Sequence, residues 1–97
     1  ESAERDGPIV VTRISTSGGQ LWGVNIGRYS TRYRAEQVLL RTALSDIGAL
    51  GEALRKVVQT SRGFEANFVG MTREAADLAC RRLTARGVSC ETFGPAG

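Results

Sequence analysis

The stretch WGVNIGRYSTRYRAE, Trp22 to Glu36, decides how this chain folds. Its first half reads as a β-strand, because Trp22, Val24 and Ile26 fall on one face while Gly23, Asn25 and Gly27 fall on the other. One face is apolar and the other almost bare. A bare polar face invites a flat ligand or a polymer, and it equally describes the solvated side of an antiparallel sheet. The second half turns into a helix. Ser30 or Thr31 supplies the N-cap, after which Ala35, Val38, Leu39 and Thr42 recur at helical spacing to about Asp46. Gly48 and Gly51 end that helix and the turn that follows it.

Upstream, ESAERDGP is polar with a Gly-Pro break and reads as a linker or frayed start. The β-branched IVVTRIST, Ile9 to Thr16, is a candidate edge strand, broken off by SGGQ. Downstream, Arg55 to Thr60 forms a second strand and Arg62-Gly63 turns into a third, Phe64 to Val69. Thr72 caps a second helix with Glu74 in its first turn, and Ala75, Ala76, Ala79, Cys80 and Leu83 make its buried face. Gly87 is the expected C′ residue, and VSCETF forms the last strand. The order is β-α-β-β-α-β: an α+β, ferredoxin- or RNP-like four-stranded antiparallel sheet with both helices on one face. The divisions expected are a linker with the candidate edge strand at 1–19, one domain at 20–94 and a tail at 95–97.

A chain of 97 residues, 41% hydrophobic and 24% charged, is of a size to bury roughly 60–65% of its unfolded surface. It begins at Glu1 and its one methionine is Met71, so it is expected to be a piece of a longer chain. No apolar run approaches the roughly 18 residues of a membrane span. Net charge is +3, and 12 of the 13 basic residues are arginine. That excess is too mild to name nucleic acid as the partner. Arg41, Arg81, Arg82 and Arg86 are expected on solvated helix faces.

With no histidine, Ser-His and Cys-His nucleophile pairs and imidazole metal sites are excluded. Neither Ser-x-x-Lys nor a Gly-Lys-Ser/Thr phosphate loop occurs. Glu74 and Asp77 share a helix face, which is the usual pattern of solvated surface. No catalytic residue, metal or cofactor is therefore assigned.

Cys80 lies on the buried face of the second helix, and Cys90, ten residues on, shares strand parity with Val88. A helix, a tight turn at Gly87 and a returning strand can bring two such Cβ atoms face to face. The pair reads either as a disulfide or as two free buried thiols. The disulfide is preferred, and it goes with an oxidising compartment.

WGVNIGRYSTRYRAE resembles the opening of the sporulation-related repeat (SPOR) domain, and GFEANFVGMTREAADLACRRLTARGVSCETF is similar to that family's third strand, second helix and last strand. More narrowly, RISTSGGQLWGVNIGRYSTRYRAEQVLL with ANFVGMTREAADLACRRLTARG resembles the C-terminal extension of alphaproteobacterial D-alanyl-D-alanine carboxypeptidases. The resemblance implies a βαββαβ module, not itself an enzyme, that binds peptidoglycan glycan strands stripped of stem peptides and targets an attached periplasmic carboxypeptidase to the wall or division septum. It places Asn25, Arg28, Tyr29, Ser30, Glu65 and Asn67 at the glycan, with Glu65 and Asn67 standing where many members carry arginines. Gly23 and Gly27 are expected to leave room for the ligand beside Asn25.

RNA binding is the alternative, because the same element order belongs to RNA-recognition motifs and RGFEANFV opens like their third-strand signature. The two readings differ in parity. RNA stacking needs Phe64 and position 66 on the open face, whereas the SPOR reading sends Phe64, Ala66 and Phe68 to the helices and Glu65 and Asn67 to solvent. A protein-interaction domain is a third reading.

Overall fold

The computed structural model describes residues 20–95. The candidate strand at Ile9 to Thr16 and the linker lie outside the described residues. The elements are β1 (Trp22–Tyr29), α1 (Arg32–Ser45), α2 (Ile47–Leu50), β2 (Leu54–Thr60), β3 (Gly63–Met71), α3 (Arg73–Ala85) and β4 (Glu91–Phe93). The strands form one antiparallel sheet in the order β2-β3-β1-β4. This is the expected α+β architecture, with a one-turn helix, α2, inserted after α1.

Local chemistry sets the helix ends. Thr31 Oγ accepts from Arg34 N–H at 3.1 Å and Thr72 Oγ accepts from Ala75 N–H at 3.0 Å, each satisfying an otherwise orphaned donor. At the far end of α3, Gly87 adopts φ +81, so that its N–H reaches Thr84 O and Val88 N–H reaches Leu83 O. Those two bonds form a Schellman motif. Because the Val88 N–H is used there, it is not free for the sheet. β4 begins only at Glu91 and is three residues long, shorter than the expected VSCETF strand. Its pairing with β1 ends at Asn25, where β1 is bulged against β3 around Gly27, at φ +135.

The core fills the space between one sheet face and the two long helices. Val24 and Ile26 of β1, Ala66 and Phe68 of β3, Leu39 of α1 and Leu83 of α3 are all buried. Cys80 and Cys90 join as a disulfide at the edge of this core, with Cα atoms 5.3 Å apart. On β3 the expected alternation holds at Ala66 and Phe68, while Phe64 is half-buried against the core with the Arg32 guanidinium 5.5 Å above its ring. The aromatic platform that RNA stacking needs is thus not on the open face. The opposite residues require a correction: Asn67 is only 7% exposed and Glu65 is half-buried, although both lie on the face away from Phe68.

Two arginines also depart from expectation. Arg82 and Arg86 are not merely solvated, since Arg82 Nε and Nη2 donate to the buried Asp46 carboxylate at 2.7 and 3.1 Å and Arg86 Nη1 lies 3.7 Å from it. Asp46 also caps α2, accepting from Ala49 N–H at 3.3 Å. It thereby ties the α1–α2 corner to α3. The Arg82 hydrogen bonds hold the Asp46 carboxyl below its ordinary value, against the opposing pull of desolvation, and Arg82 is raised in turn. A carboxylate with a depressed folded pKa contributes stability that is present above its unfolded pKa of about 4 and lost as pH falls through the folded value. Asp46→Asn is therefore expected to lower Tm at pH 7 and to flatten the fall in Tm below about pH 4. Thermal melts across that range check it, and an unchanged acid limb would assign the limb to other carboxylates.

Candidate functional site

The sheet face away from the helices holds an open cleft of about 640 Å³, within the usual range for ligand sites. Antiparallel register explains which side chains meet there, because directly opposed residues share a face. Lys56, Asn67, Asn25 and Glu91 form one row across the four strands, and Val58, Glu65 and Arg28 form the next. Phe93 stands beside this surface on β4, opposite Gly23.

The two asparagines form a directed pair. Gly27 N–H can only donate, so the atom of Asn25 that it meets at 3.1 Å is Oδ1. The Asn25 amide nitrogen then points across to β3, where it donates to Asn67 Oδ1 at 2.8 Å. Both ends of the Asn25 side chain are consequently occupied. Asn67 Nδ2 remains, a donor on a side chain more than nine-tenths buried and with no acceptor among the described residues. A buried donor left without a partner costs free energy, about 1–3 kcal/mol, which a ligand carbonyl or hydroxyl in the cleft would recover.

Charge in the cleft is mixed. Arg28 and Glu65 face each other in register without an ion pair within 4 Å, as judged among the described residues, and Glu91 adds a second carboxylate. The surface can thus offer both donors and acceptors to a polar ligand, together with an aromatic ring, Phe93, that is 40% exposed.

Of the residues singled out from sequence, Asn25, Arg28, Glu65 and Asn67 line this cleft. Tyr29 and Ser30 do not. Tyr29 packs against the core and its hydroxyl donates to Ile26 O at 3.2 Å, while Ser30 is exposed just before the α1 cap. The Gly27 bulge is the cause. It inserts a residue between Asn25 and Arg28, so that Tyr29 pairs with Phe64 and turns to the helix side. The glycines also need correction, since neither keeps space for a ligand. A Cβ at Gly23 would run into Phe68 O and the Phe93 ring, and one at Gly27 would lie 2.8 Å from the Tyr29 hydroxyl. The protein's own rings fill both places.

Ser89, Glu91 and Phe93 belong to the cleft and were not singled out. The signal was present. If Val88 and Cys90 point inward, the alternate residues of the same segment point outward. Among the described residues no group of three or more potential metal ligands occurs, and no helix is long and apolar enough to cross a membrane.

The sequence matches no family model and no curated protein. The fold is similar to the solution structure of the peptidoglycan binding domain of B. subtilis cell wall lytic enzyme CwlC, with a TM-score of 0.59 and 16% sequence identity over 87% of this chain and 100% of that one. At that identity the likeness is one of fold: the βαββαβ frame that holds this cleft is one on which a peptidoglycan binding domain is also built.

Proposed function

We propose that residues 20–94 form a non-catalytic peptidoglycan-binding module of SPOR type, joined through the linker at 1–19 to a periplasmic D-alanyl-D-alanine carboxypeptidase that it brings to the wall or division septum. The Cys80–Cys90 disulfide supports an extracytoplasmic setting, because such bonds persist where the compartment is oxidising. The observation that carries the reading is the buried Asn67 Nδ2, without an acceptor among the described residues, in a cleft that also presents Phe93, on a fold similar to a peptidoglycan binding domain.

A denuded glycan offers N-acetyl carbonyls, hydroxyls and C–H-rich ring faces. Asn67 Nδ2 donates to the carbonyl, Phe93 stacks on the ring, and Arg28, Glu65 and Glu91 take hydroxyls. Asn25 acts as a positioning residue, because its amide holds Asn67 Oδ1 and so turns the Nδ2 group outward.

Asn67→Asp is the sharpest variant. It keeps an acceptor for Asn25 and replaces the donor with an acceptor. Binding of the full chain to purified sacculi is expected to rise after amidase removal of stem peptides, and to weaken about tenfold or more in Asn67→Asp and Phe93→Ala. Both variants are to be compared at matched thermal stability. Binding indifferent to amidase, unchanged binding in both variants, or preference for RNA would overturn the proposal.

A further inference from the structure

In the order β2-β3-β1-β4, nothing among the described residues pairs with the outer side of β2. The register shows which of its backbone groups are left over. Ser61 and Arg62 form the two-residue loop between Thr60 and Gly63, so Thr60 and Gly63 are a hydrogen-bonded pair. By alternation so are Val58 with Glu65, Lys56 with Asn67 and Leu54 with Val69. The carbonyls of Ala66 and Phe68 turn the other way, toward β1, the first lying 3.5 Å from Asn25 Nδ2 and the second against Gly23. Arg55, Val57 and Gln59 therefore point their N–H and C=O groups outward from the sheet. Such an edge is a template for one more strand.

The chain itself carries a segment suited to it. Ile9 to Thr16 holds six β-branched residues in eight. Because β1 and β2 are both antiparallel to β3, they start at the same end of the sheet. Gln20, which leads into β1, lines one groove together with Leu54, the first residue of β2. A segment that ends there and lies along β2 runs antiparallel to it. The opposite edge is poorer, since β4 has three residues and from this end allows only parallel pairing.

We infer that Ile9 to Thr16 docks as a fifth strand on the outer edge of β2, antiparallel, with Ile14 opposite Val57 and Thr12 opposite Gln59. Val57 is opposite Ala66 and so faces the helices, where with Leu39 and Leu40 it borders a groove of about 520 Å³ that Ile14 enters. In this register Thr16 stands about 18 Å from Trp22, within the roughly 20 Å that six steps of chain span. A shift of two residues toward the start of β2 would set Arg13 opposite Lys56, like charge against like, and a shift the other way would overstretch the linker. As placed, Ser15 stands opposite Lys56, and Arg13 stands opposite Val58, which lines the cleft. The fifth strand thus adds a cation at the margin of the cleft, whatever the cleft binds. A second copy is the weaker occupant. One seven-residue edge is small against the roughly 1,200 Å² of a stable complex, whereas a short tether holds the segment at an effective concentration on the order of mM.

NMR of the full chain tests it. Hα–Hα contacts between Arg13 and Val58 and between Ser15 and Lys56, the non-hydrogen-bonded pairs of this register, are expected. The amides of Arg55, Val57 and Gln59 are expected to exchange at least about tenfold more slowly in the parent than in Ile14→Pro, which removes a donor to β2. Arg13→Pro loses an N–H that points away from β2 and is expected to keep the protection. The Phe68 amide, in the core, should exchange equally slowly in all three chains, so that a loss at the edge is not a loss of the fold. Fast exchange at Arg55, Val57 and Gln59 in the parent, or slow exchange there that survives Ile14→Pro, would overturn the inference. So would protection that rises with protein concentration, because the edge would then hold a second copy.

Discussion

Reduction of the Cys80–Cys90 bond is expected to lower stability by about 2–3 kcal/mol, the chain-entropy contribution of closing so short a loop. In a domain of this size that corresponds to a fall in Tm on the order of 10–20 °C. The loss is expected to be uneven. β4 has only three paired residues, and the bond fastens the segment just before it to α3. Freed from α3, the segment from Ser89 to Phe93 frays first, and it forms one wall of the cleft. Sacculus binding is therefore expected to fail under reductant at temperatures where circular dichroism still reports helices. Cys80→Ala/Cys90→Ala should behave like the reduced protein and be indifferent to reductant. A double variant as stable as the oxidised parent would show that the bond merely joins parts already held by packing.

Phe68→Ala is expected to be the most damaging single substitution of those considered. The ring is fully buried in the sheet's central region and is the largest of the fully buried side chains. Truncating such a ring costs about 3–5 kcal/mol from lost transfer free energy and the cavity left behind. That is a large share of the whole stability of a domain of this size, roughly 4–11 kcal/mol at the usual value per residue. The variant should melt more than 20 °C below the parent or lose its cooperative transition, on the usual conversion of about 4–8 °C per kcal/mol. Phe93→Ala, on the other sheet face, should cost no more than about 1 kcal/mol. Denaturant melts of the two variants compare the faces directly. A reversed order would mean that the sheet presents its aromatic core residues to the ligand side, as the RNA reading required.

Much of the frame was legible in the residues. Alternation in Trp22 to Ile26, the caps at Thr31 and Thr72 and the glycine at Gly87 are short-range signals, decided within one turn or one strand, and each element formed where they stand. The inward parity of Cys80 and Cys90 is of the same kind. The extension of β1 to Tyr29 and the shortening of β4 were not legible, because they depend on where neighbouring strands stop pairing.

The site divides along the same line. Asn25, Glu65 and Asn67 share the open face, which strand periodicity alone indicates, although the burial of Asn67 there was not legible. Tyr29 was misplaced because one bulge residue at Gly27 reverses every side chain after it, and the bulge is defined only by the partner strand β3. The capture of the Asn25 amide by Asn67 and the pairing of Asp46 with Arg82 join residues 42 and 36 positions apart along the chain. By itself, then, the sequence determined the order of elements, their caps and the two faces of each strand, since these follow from backbone sterics and hydrogen bonding among near neighbours. Tertiary structure decided which polar atoms find partners, and that Asn67 Nδ2 has none among the described residues, because that depends on contacts made only when distant strands come into register.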